Sequence, residues 1–273
     1  MSARWVFTIL GCGSSGGVPR GDGDWGACDP ANPRNRRRRC SLLVQRYGAG
    51  DAPTTILIDT SPDLREQMLD AGVRHLDAVL YTHDHADQAH GIDDLRVFAM
   101  RTRRRIPCWM DAATRATLES RFRYIFEPVE GYPAICDLHD LPPLGTPFTV
   151  DGPGGPVEIM TFDQMHGPIH SVGYRIGPVA YSPDVSDLDD AALAQVARAD
   201  TWIVDALRWA PHPTHTHVDK TLRWIERSGV KAAVLTNLHL DLDYDQLATV
   251  LPEGVAVAHD GLALSFSEWS SFA

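Results

Sequence analysis

Short apolar runs alternate along the chain with segments of helical periodicity. The runs have the length of one β-strand, are rich in β-branched and aromatic residues, and end at glycine or at a polar side chain. We predict strands at 4–10, 41–45, 55–59, 78–82, 157–162, 172–176, 178–182, 202–205, 232–236 and 255–258. Helices are predicted at 62–71, 91–102, 189–198, 217–228 and 243–250. Many short strands with interspersed helices indicate a mixed α/β fold.

Acidic or histidine side chains follow several of these strands directly. They are Asp59, His83, Asp184, Asp205 and His239. A rigid sheet presents a site to solvent by placing polar groups just beyond the ends of buried strands. We therefore expect these side chains to meet along one rim.

The densest group of such side chains follows the strand at 78–82. His83, His85 and Asp87 leave the chain within five residues, and His90 follows shortly after. Imidazole and carboxylate groups are common ligands of divalent metal ions near neutral pH. The alternative, in which each histidine caps a loop or bonds a buried carbonyl, is less favoured because so many of these groups occur together. We predict a metal centre with His83 and His85 as ligands.

The run Thr82-His83-Asp84-His85-Ala86-Asp87-Gln88 resembles the signature T-H-x-H-x-D-H of the metallo-β-lactamase superfamily, except at its last position. The opening TILGCGSSGGVPR and the segments 32–43 and 90–96 together resemble the PhnP-like branch, which is known for a phosphoribosyl 1,2-cyclic phosphate phosphodiesterase. The likeness extends from residue 7 to the ending 260–262. It implies an αββα sandwich of two mixed β-sheets flanked by helices.

The resemblance also implies a firm metal position. The family has a histidine before a Ser-x-Gly-Tyr segment, and we favour His166 over His170, which is then a candidate substrate contact. The family's bridging aspartate corresponds to Asp184, whose alternative role is a helix N-cap. The firm position would comprise His83, His85, His166 and Asp184.

The resemblance implies a second metal position that is remodelled or weakened here, because Gln88 and Asn237 stand where the family has histidines. The nearby His90 and His239 are candidate replacements. The second position would comprise Asp87, Asp184, His239 and either Gln88 or His90. A carboxamide oxygen is a poor ligand for Zn²⁺, so we expect one or two divalent ions, either Zn²⁺ or Mn²⁺.

Two residues are candidates for catalytic proton transfer. Asp87 stands where it would orient or deprotonate the attacking water, and His215 would protonate the leaving group. We choose His215 because PHPTHTHVDKTL resembles the branch's segment with a catalytic histidine. His217 is the runner-up and a candidate substrate contact, and the alternative is that both are surface histidines before a helix. Among many arginines, Arg96 is the candidate phosphate contact, although pairing with the excess acidic residues is equally compatible.

The bulk properties narrow the class of protein. The 273 residues, of which 44% are hydrophobic, show no composition shift, so we predict one domain over 1–273. The formal net charge of -11 disfavours nonspecific binding to nucleic acid or anionic membrane. No apolar stretch reaches the roughly 20 residues that span a bilayer, and the N-terminus lacks a signal peptide's long apolar region, so we expect a cytoplasmic protein.

The five cysteines are scattered and without a C-x-x-C pair, which favours reduced thiols. In structural relatives Cys28 belongs to a zinc-binding cysteine cluster, but its segment WGACDPANPRN has one cysteine only, so we do not expect that zinc.

We predict a metal-dependent phosphodiesterase that uses metal-bound hydroxide to cleave a small phosphodiester, for example a cyclic one. A tRNA 3′-processing nuclease shares the metal signature, but no insertion long enough for a tRNA-binding arm is evident. A third hypothesis is a non-catalytic metal-binding accessory protein resembling the pyrroloquinoline quinone biosynthesis factor, because Gln88 and Asn237 interrupt the ligand pattern. A lactamase or thioesterase is less favoured, since arginine enrichment favours phosphate. No membrane partner is expected, and a homodimer is left open.

Overall fold

In the computed structural model, which describes residues 3–267, the apolar runs form fourteen strands. The strands are β1 (Arg4–Gly11), β2 (Ser41–Tyr47), β3 (Thr54–Ile58), β4 (Ala78–Leu80), β5 (Ile106–Met110), β6 (Cys136–Asp140), β7 (Phe148–Val150), β8 (Val157–His166), β9 (Ile169–Ile176), β10 (Val179–Ser182), β11 (Thr201–Asp205), β12 (Ala232–Thr236), β13 (Val255–Val257) and β14 (Leu262–Ser267). The helices are α1 (Leu64–Asp70), α2 (Ala86–Ala89), α3 (Arg96–Thr102), α4 (Ala112–Arg121), α5 (Arg123–Phe126), α6 (Asp190–Val196), α7 (Val218–Ser228) and α8 (Tyr244–Val250).

These strands form two seven-stranded sheets. The first has the order β14-β1-β2-β3-β4-β5-β6 and the second β13-β12-β11-β10-β9-β8-β7. Each sheet is mixed, because one half pairs antiparallel and β3 to β6 and β10 to β13 pair in parallel. The αββα sandwich predicted from the sequence is therefore confirmed.

Three apolar clusters hold the layers together. The central cluster joins the two sheets through side chains such as Phe7 and Ile58 from the first and Tyr174 and Ile203 from the second. A second cluster lies between the first sheet and α1, α3 and α4, and a third between the second sheet and α6, α7 and α8. Burial of apolar surface on both faces of each sheet explains why so many strands read as continuous apolar runs.

Several elements were missed by the sequence analysis. Strands β5, β6, β7 and β14 and helices α2, α4 and α5 were not predicted. β6 and β14 lie at the edges of the first sheet, with partly exposed side chains that weaken the apolar signal. The helix predicted at 91–102 is a 3₁₀ turn, Ile92–Leu95, followed by α3.

The strand ends that carry polar residues meet at one edge of the sandwich. β3 and β4 from the first sheet and β10, β11 and β12 from the second all point their carboxyl ends there. Two hydrogen bonds join the sheets at this edge: Tyr174 Oη donates to the Tyr81 carbonyl at 2.6 Å, and Val172 N donates to the Thr82 carbonyl at 2.8 Å. The site is therefore built on rigid strand ends.

All five cysteines are buried and free, in agreement with the expected reduced thiols. Between residues 3 and 267, none of the helices combines the length and the apolar character that crossing a membrane requires.

The Tyr174 hydroxyl is buried and ties the second sheet to the first. We expect Tyr174→Phe to lower the free energy of unfolding by about 1–3 kcal/mol, because the buried Tyr81 carbonyl loses its donor. Urea unfolding in the presence of a chelator measures this without a contribution from bound metal. The matched control is Tyr132→Phe, whose side chain is 70% exposed and whose substitution should leave stability unchanged. Equal unfolding curves for the two variants would contradict the prediction.

Candidate metal centre

Three histidines converge at the edge where the strands end. His83 and His85 lie in the loop after β4, and His166 is the last residue of β8. One nitrogen from each ring lies within 4.8 Å of the others. The ring centroids are 4.6 to 4.9 Å apart, with the planes steeply inclined to one another. The predicted ligand pair His83 and His85, which follows a strand of the first sheet, is thus brought together with His166 from the second sheet.

The orientation of His83 is fixed by two residues behind it. The Thr82 hydroxyl donates to Asp59 Oδ2 at 2.8 Å, and the Thr82 hydroxyl oxygen lies 3.0 Å from His83 Nδ1. Because the hydroxyl proton goes to Asp59, Nδ1 donates to the hydroxyl oxygen and Nε2 keeps its lone pair. His83 Nε2 is buried and has no hydrogen-bond partner among the described residues. A buried nitrogen of this kind fits a metal ligand.

His166 is oriented in the same manner by a different group. Its Nδ1 donates to the Thr214 carbonyl at 2.7 Å, which leaves Nε2 facing His85 Nδ1 at 3.1 Å. Burial lowers the pKa of His166 to about 3, and the charge of His215 adds to this effect. Burial also lowers the pKa of His83 well below its usual value. Both rings are neutral at pH 7, the form in which imidazole binds a metal.

A second cluster of potential ligands shares His166 and adds Asp184 and His215. Asp184 follows β10 and is 2% exposed. Burial raises the pKa of Asp184 well above its usual value, while the charge of His215 opposes this rise and that of Asp87 adds to it. The two clusters share His166 alone, and each offers nitrogen or oxygen donors of the kinds that a divalent ion binds.

His215 is held by a buried carboxylate. Its Nδ1 lies 2.8 Å from Asp205 Oδ2, at the end of β11, and 3.7 Å from Asp184 Oδ1. Burial lowers the pKa of His215, but the charge and hydrogen bond of Asp205 outweigh this and raise it to about 9. The ring centroid is 4.6 Å from that of His166. The structure therefore places an imidazole with a raised pKa beside the cluster of His83, His85 and His166.

Two amides contact the oxygens of Asp184. Gln88 Nε2 donates to Oδ2 at 2.6 Å, and Asn237 Nδ2 donates to Oδ1 at 3.3 Å. Both side chains are buried. Asn237 adopts a left-handed backbone conformation with φ of 59°, which asparagine tolerates better than most residues.

Three residues predicted for the second metal position lie outside both ligand clusters of the described chain. Asp87 is half-buried in the first turn of α2. His90 packs edge-on against Phe122, with centroids 5.3 Å apart. His239 Nε2 lies 2.7 Å from Arg20 Nη2. Their roles stay predictions, and for His90 and His239 the geometry offers other partners.

Two of the three predicted substrate contacts are engaged elsewhere. His170 lies 2.8 Å from an Asp163 oxygen and is 61% exposed. Arg96 pairs with Asp93 at 2.8 Å. His217 occupies the N-cap position of α7 without a capping bond from its side chain. None of the three belongs to a ligand cluster of the described residues, and their roles stay predictions.

The supporting residues of the site were missed by the sequence analysis. Asp59 and Asp205 were noted as strand ends but not assigned to the site, although each fixes the orientation of a histidine. Their signal was present, because each aspartate ends a buried apolar strand. Thr214 acts through its backbone carbonyl, for which a side-chain pattern gives no signal.

Comparison with known proteins identifies the class. A sequence model of the beta-lactamase superfamily domain matches residues 54–238, and the chain belongs to this superfamily. Within it, the chain is 34% identical to a solved structure described as a new diphosphatase from the PhnP family, with a TM-score of 0.86 and coverage of 98% of this chain and 99% of that one. The chain therefore belongs to the PhnP-like branch and is a metal-dependent hydrolase.

Two further comparisons cover nearly the whole chain. A curated relative, an octanoyltransferase from Porphyromonas gingivalis, is 31% identical over 268 residues, which are 95% of this chain and 51% of the relative. The chain thus spans about half the length of that protein. The Zn²⁺-bound structure of PqqB from Methylobacterium extorquens has a TM-score of 0.70 at 19% identity, covering 95% of this chain and 99% of that one, and it shows the shared fold.

The Thr82 hydroxyl links Asp59 to the metal-facing ring of His83. We expect Thr82→Val to weaken Zn²⁺ binding about 10- to 100-fold, because His83 loses the acceptor that fixes its tautomer. Competition with a chromophoric chelator measures the dissociation constant.

The control is Thr161→Val, which makes the same change at a buried hydroxyl without a hydrogen-bond partner in the described structure. Its Zn²⁺ affinity should equal that of the native protein. Equal weakening in both variants would indicate a general packing defect and would refute the orienting role of Thr82.

Proposed function

We propose that the protein hydrolyses a phosphodiester bond in a small substrate. The observation that carries this proposal is the His215–Asp205 pair at 2.8 Å, which places an acid beside the convergent imidazoles. An alkoxide leaving group needs a proton as its bond to phosphorus breaks. A cluster that binds a cation, together with a positioned acid, supplies the two elements that phosphodiester hydrolysis requires.

The residues that would hold a divalent ion are His83, His85, His166 and Asp184. When bound, such an ion lowers the pKa of a water molecule to near 7 and polarises an oxygen of the substrate. The side chains around the ion contribute preorganisation. Asp59 and Thr82 fix the orientation of the His83 ring before substrate binds, so the ring needs little reorganisation during the reaction.

His215 is the proposed general acid. Asp205 accepts from Nδ1, which turns Nε2 away from β11, and the raised pKa keeps the ring protonated at neutral pH. Asp205 itself also accepts from Val185 N at 3.2 Å, which anchors the carboxylate to the loop that carries Asp184. The acid and the carboxylate ligand are therefore positioned by the same group.

The structure reduces the number of arginines that are free to bind phosphate. Arg38, Arg39, Arg96 and Arg105 each pair with an aspartate. Arg20 differs, because it is exposed and its side chain contacts His239, which follows Asn237 by two residues. Arg20 is therefore a better candidate than Arg96 for contact with a substrate phosphate.

The name of the PhnP-family relative, a diphosphatase, supports a phosphate substrate for this chain as well. The decisive assay offers the metal-loaded protein bis(p-nitrophenyl) phosphate, a 2′,3′-cyclic nucleotide and a dinucleoside diphosphate. Hydrolysis of one of these, abolished by a chelator and restored by Zn²⁺ or Mn²⁺, supports the proposal. Absence of turnover on all three with the metal bound would overturn it.

A second candidate function is hydrolysis of an acyl thioester, which the relationship to an octanoyltransferase favours. The name of that protein describes the whole of it, and this chain corresponds to about half. Octanoyl-CoA in the same assay distinguishes the candidates, because turnover of the thioester without turnover of any phosphate ester would favour the acyl substrate.

The general-acid role of His215 gives a prediction that depends on the leaving group. We expect His215→Ala to lower kcat by about 10²- to 10⁴-fold on the cyclic nucleotide, whose alkoxide must be protonated. The loss on bis(p-nitrophenyl) phosphate should be much smaller, because p-nitrophenolate leaves without a proton. The measurement is steady-state hydrolysis of both substrates.

The control is His75→Ala, a histidine paired with Asp77 before β4, at the end of that strand remote from the ligand cluster. It should leave both rates unchanged. An equal loss of rate on both substrates for His215→Ala, accompanied by loss of bound metal, would assign His215 as a ligand and not as an acid.

A further inference from the structure

The second metal position of the superfamily signature is filled by hydrogen-bonding amides in this chain. Gln88 and Asn237 stand at the two places where the signature provides histidines. Their amide nitrogens donate to Asp184, one to each carboxylate oxygen, at 2.6 Å and 3.3 Å. The carboxylate that would bridge two ions therefore has a donor on each oxygen already.

The Asn237 amide has polar neighbours on both sides. Its nitrogen donates to Asp184 Oδ1 at 3.3 Å and lies 3.1 Å from His215 Nδ1. Burial raises the pKa of Asp205, and a hydrogen bond from Asn237 opposes that rise. The amide oxygen faces the thiol of Cys40 at a sulfur–oxygen distance of 4.0 Å, while the Gly13 carbonyl is the nearer acceptor of that thiol at 3.5 Å. Burial raises the pKa of the Cys40 thiol well above its usual value, so the thiol keeps its proton.

The two histidines that stand near this position are held elsewhere. The His90 ring packs against Phe122, and His239 Nε2 contacts Arg20 at 2.7 Å. Asp241 Oδ2 lies 3.1 Å from the other nitrogen of His239. Neither ring belongs to a ligand cluster in the described chain. The lost histidines are therefore not replaced by neighbours.

We propose that the centre holds a single divalent ion, bound by His83, His85, His166 and Asp184, and that Gln88 and Asn237 form an amide clamp in place of a second ion. The clamp satisfies the buried carboxylate of Asp184 with N–H donors, which a second cation would otherwise do. A carboxamide whose NH₂ group faces Asp184 offers no lone pair to Zn²⁺ on that side, so the position does not fit a second ion. This inference rests on the metal centre of the proposed function and not on its substrate.

The test counts ions per chain. Metal-free protein is dialysed to equilibrium against Zn²⁺ or Mn²⁺, and bound metal is measured by mass spectrometry. The native chain should saturate with one tight ion. The double variant Gln88→His, Asn237→His restores the signature and should gain a second. With Mn²⁺, the electron paramagnetic resonance spectrum should be that of an isolated ion in the native chain and of a coupled pair in the double variant.

Histidine is among the residues that tolerate the left-handed conformation of position 237, so the double variant is compatible with the backbone. Circular dichroism checks its fold, and the count on the native chain decides the matter even if the variant does not fold. His90→Ala and His239→Ala are the controls, and both should leave the count at one.

Two tight ions in the native chain would overturn the proposal. Loss of one of them in Gln88→Ala would assign Gln88 Oε1, which is buried without a partner in the described structure, as a ligand. Loss of one in His239→Ala would assign His239. Because no substrate is present, the outcome is independent of the proposed activity: a single-ion protein inert towards phosphodiesters would refute the proposed function alone.

Discussion

The site depends on one constraint, which is that buried neutral imidazoles must direct their lone pairs into a common space. A histidine ring has two nitrogens, and the one that carries the proton needs an acceptor when water is excluded. Here Thr82, backed by Asp59, accepts from His83, and the Thr214 carbonyl accepts from His166. Without these acceptors, neither the tautomer nor the orientation of the two rings would be fixed, and their unprotonated nitrogens would not be held facing a common space.

The fold supplies that constraint through the sandwich. Parallel strands of both sheets end at one edge, and Asp59, Thr82 and Asp184 follow such ends, so their positions are set by packing that extends across both sheets. The hydrogen bonds between Tyr174 and Tyr81 and between Val172 and Thr82 join the sheets where the ligands lie. The αββα arrangement thus holds the site on rigid elements of both sheets.

Much of this arrangement could be predicted from the sequence, for identifiable reasons. Strands buried on both faces are apolar throughout, so β3, β4, β10, β11 and β12 were evident, and with them the polar residues that follow. Edge strands such as β6 and β14 carry partly exposed side chains and were missed. The ligand pair His83 and His85 could be predicted because the two residues stand close in sequence. The contact between Asn237 and Asp184 joins residues 53 positions apart and appears only in the folded chain.

The segment between β11 and α7 combines two tasks in a few residues. The carbonyl of Thr214 orients a ligand, and the next residue, His215, is the proposed acid. A shift of this loop would move the proton donor and loosen the metal-facing ring together. Affinity for the ion and efficiency of proton transfer are therefore mechanically linked, so a substitution in this loop that adapts the enzyme to a new leaving group also alters how firmly it retains its metal.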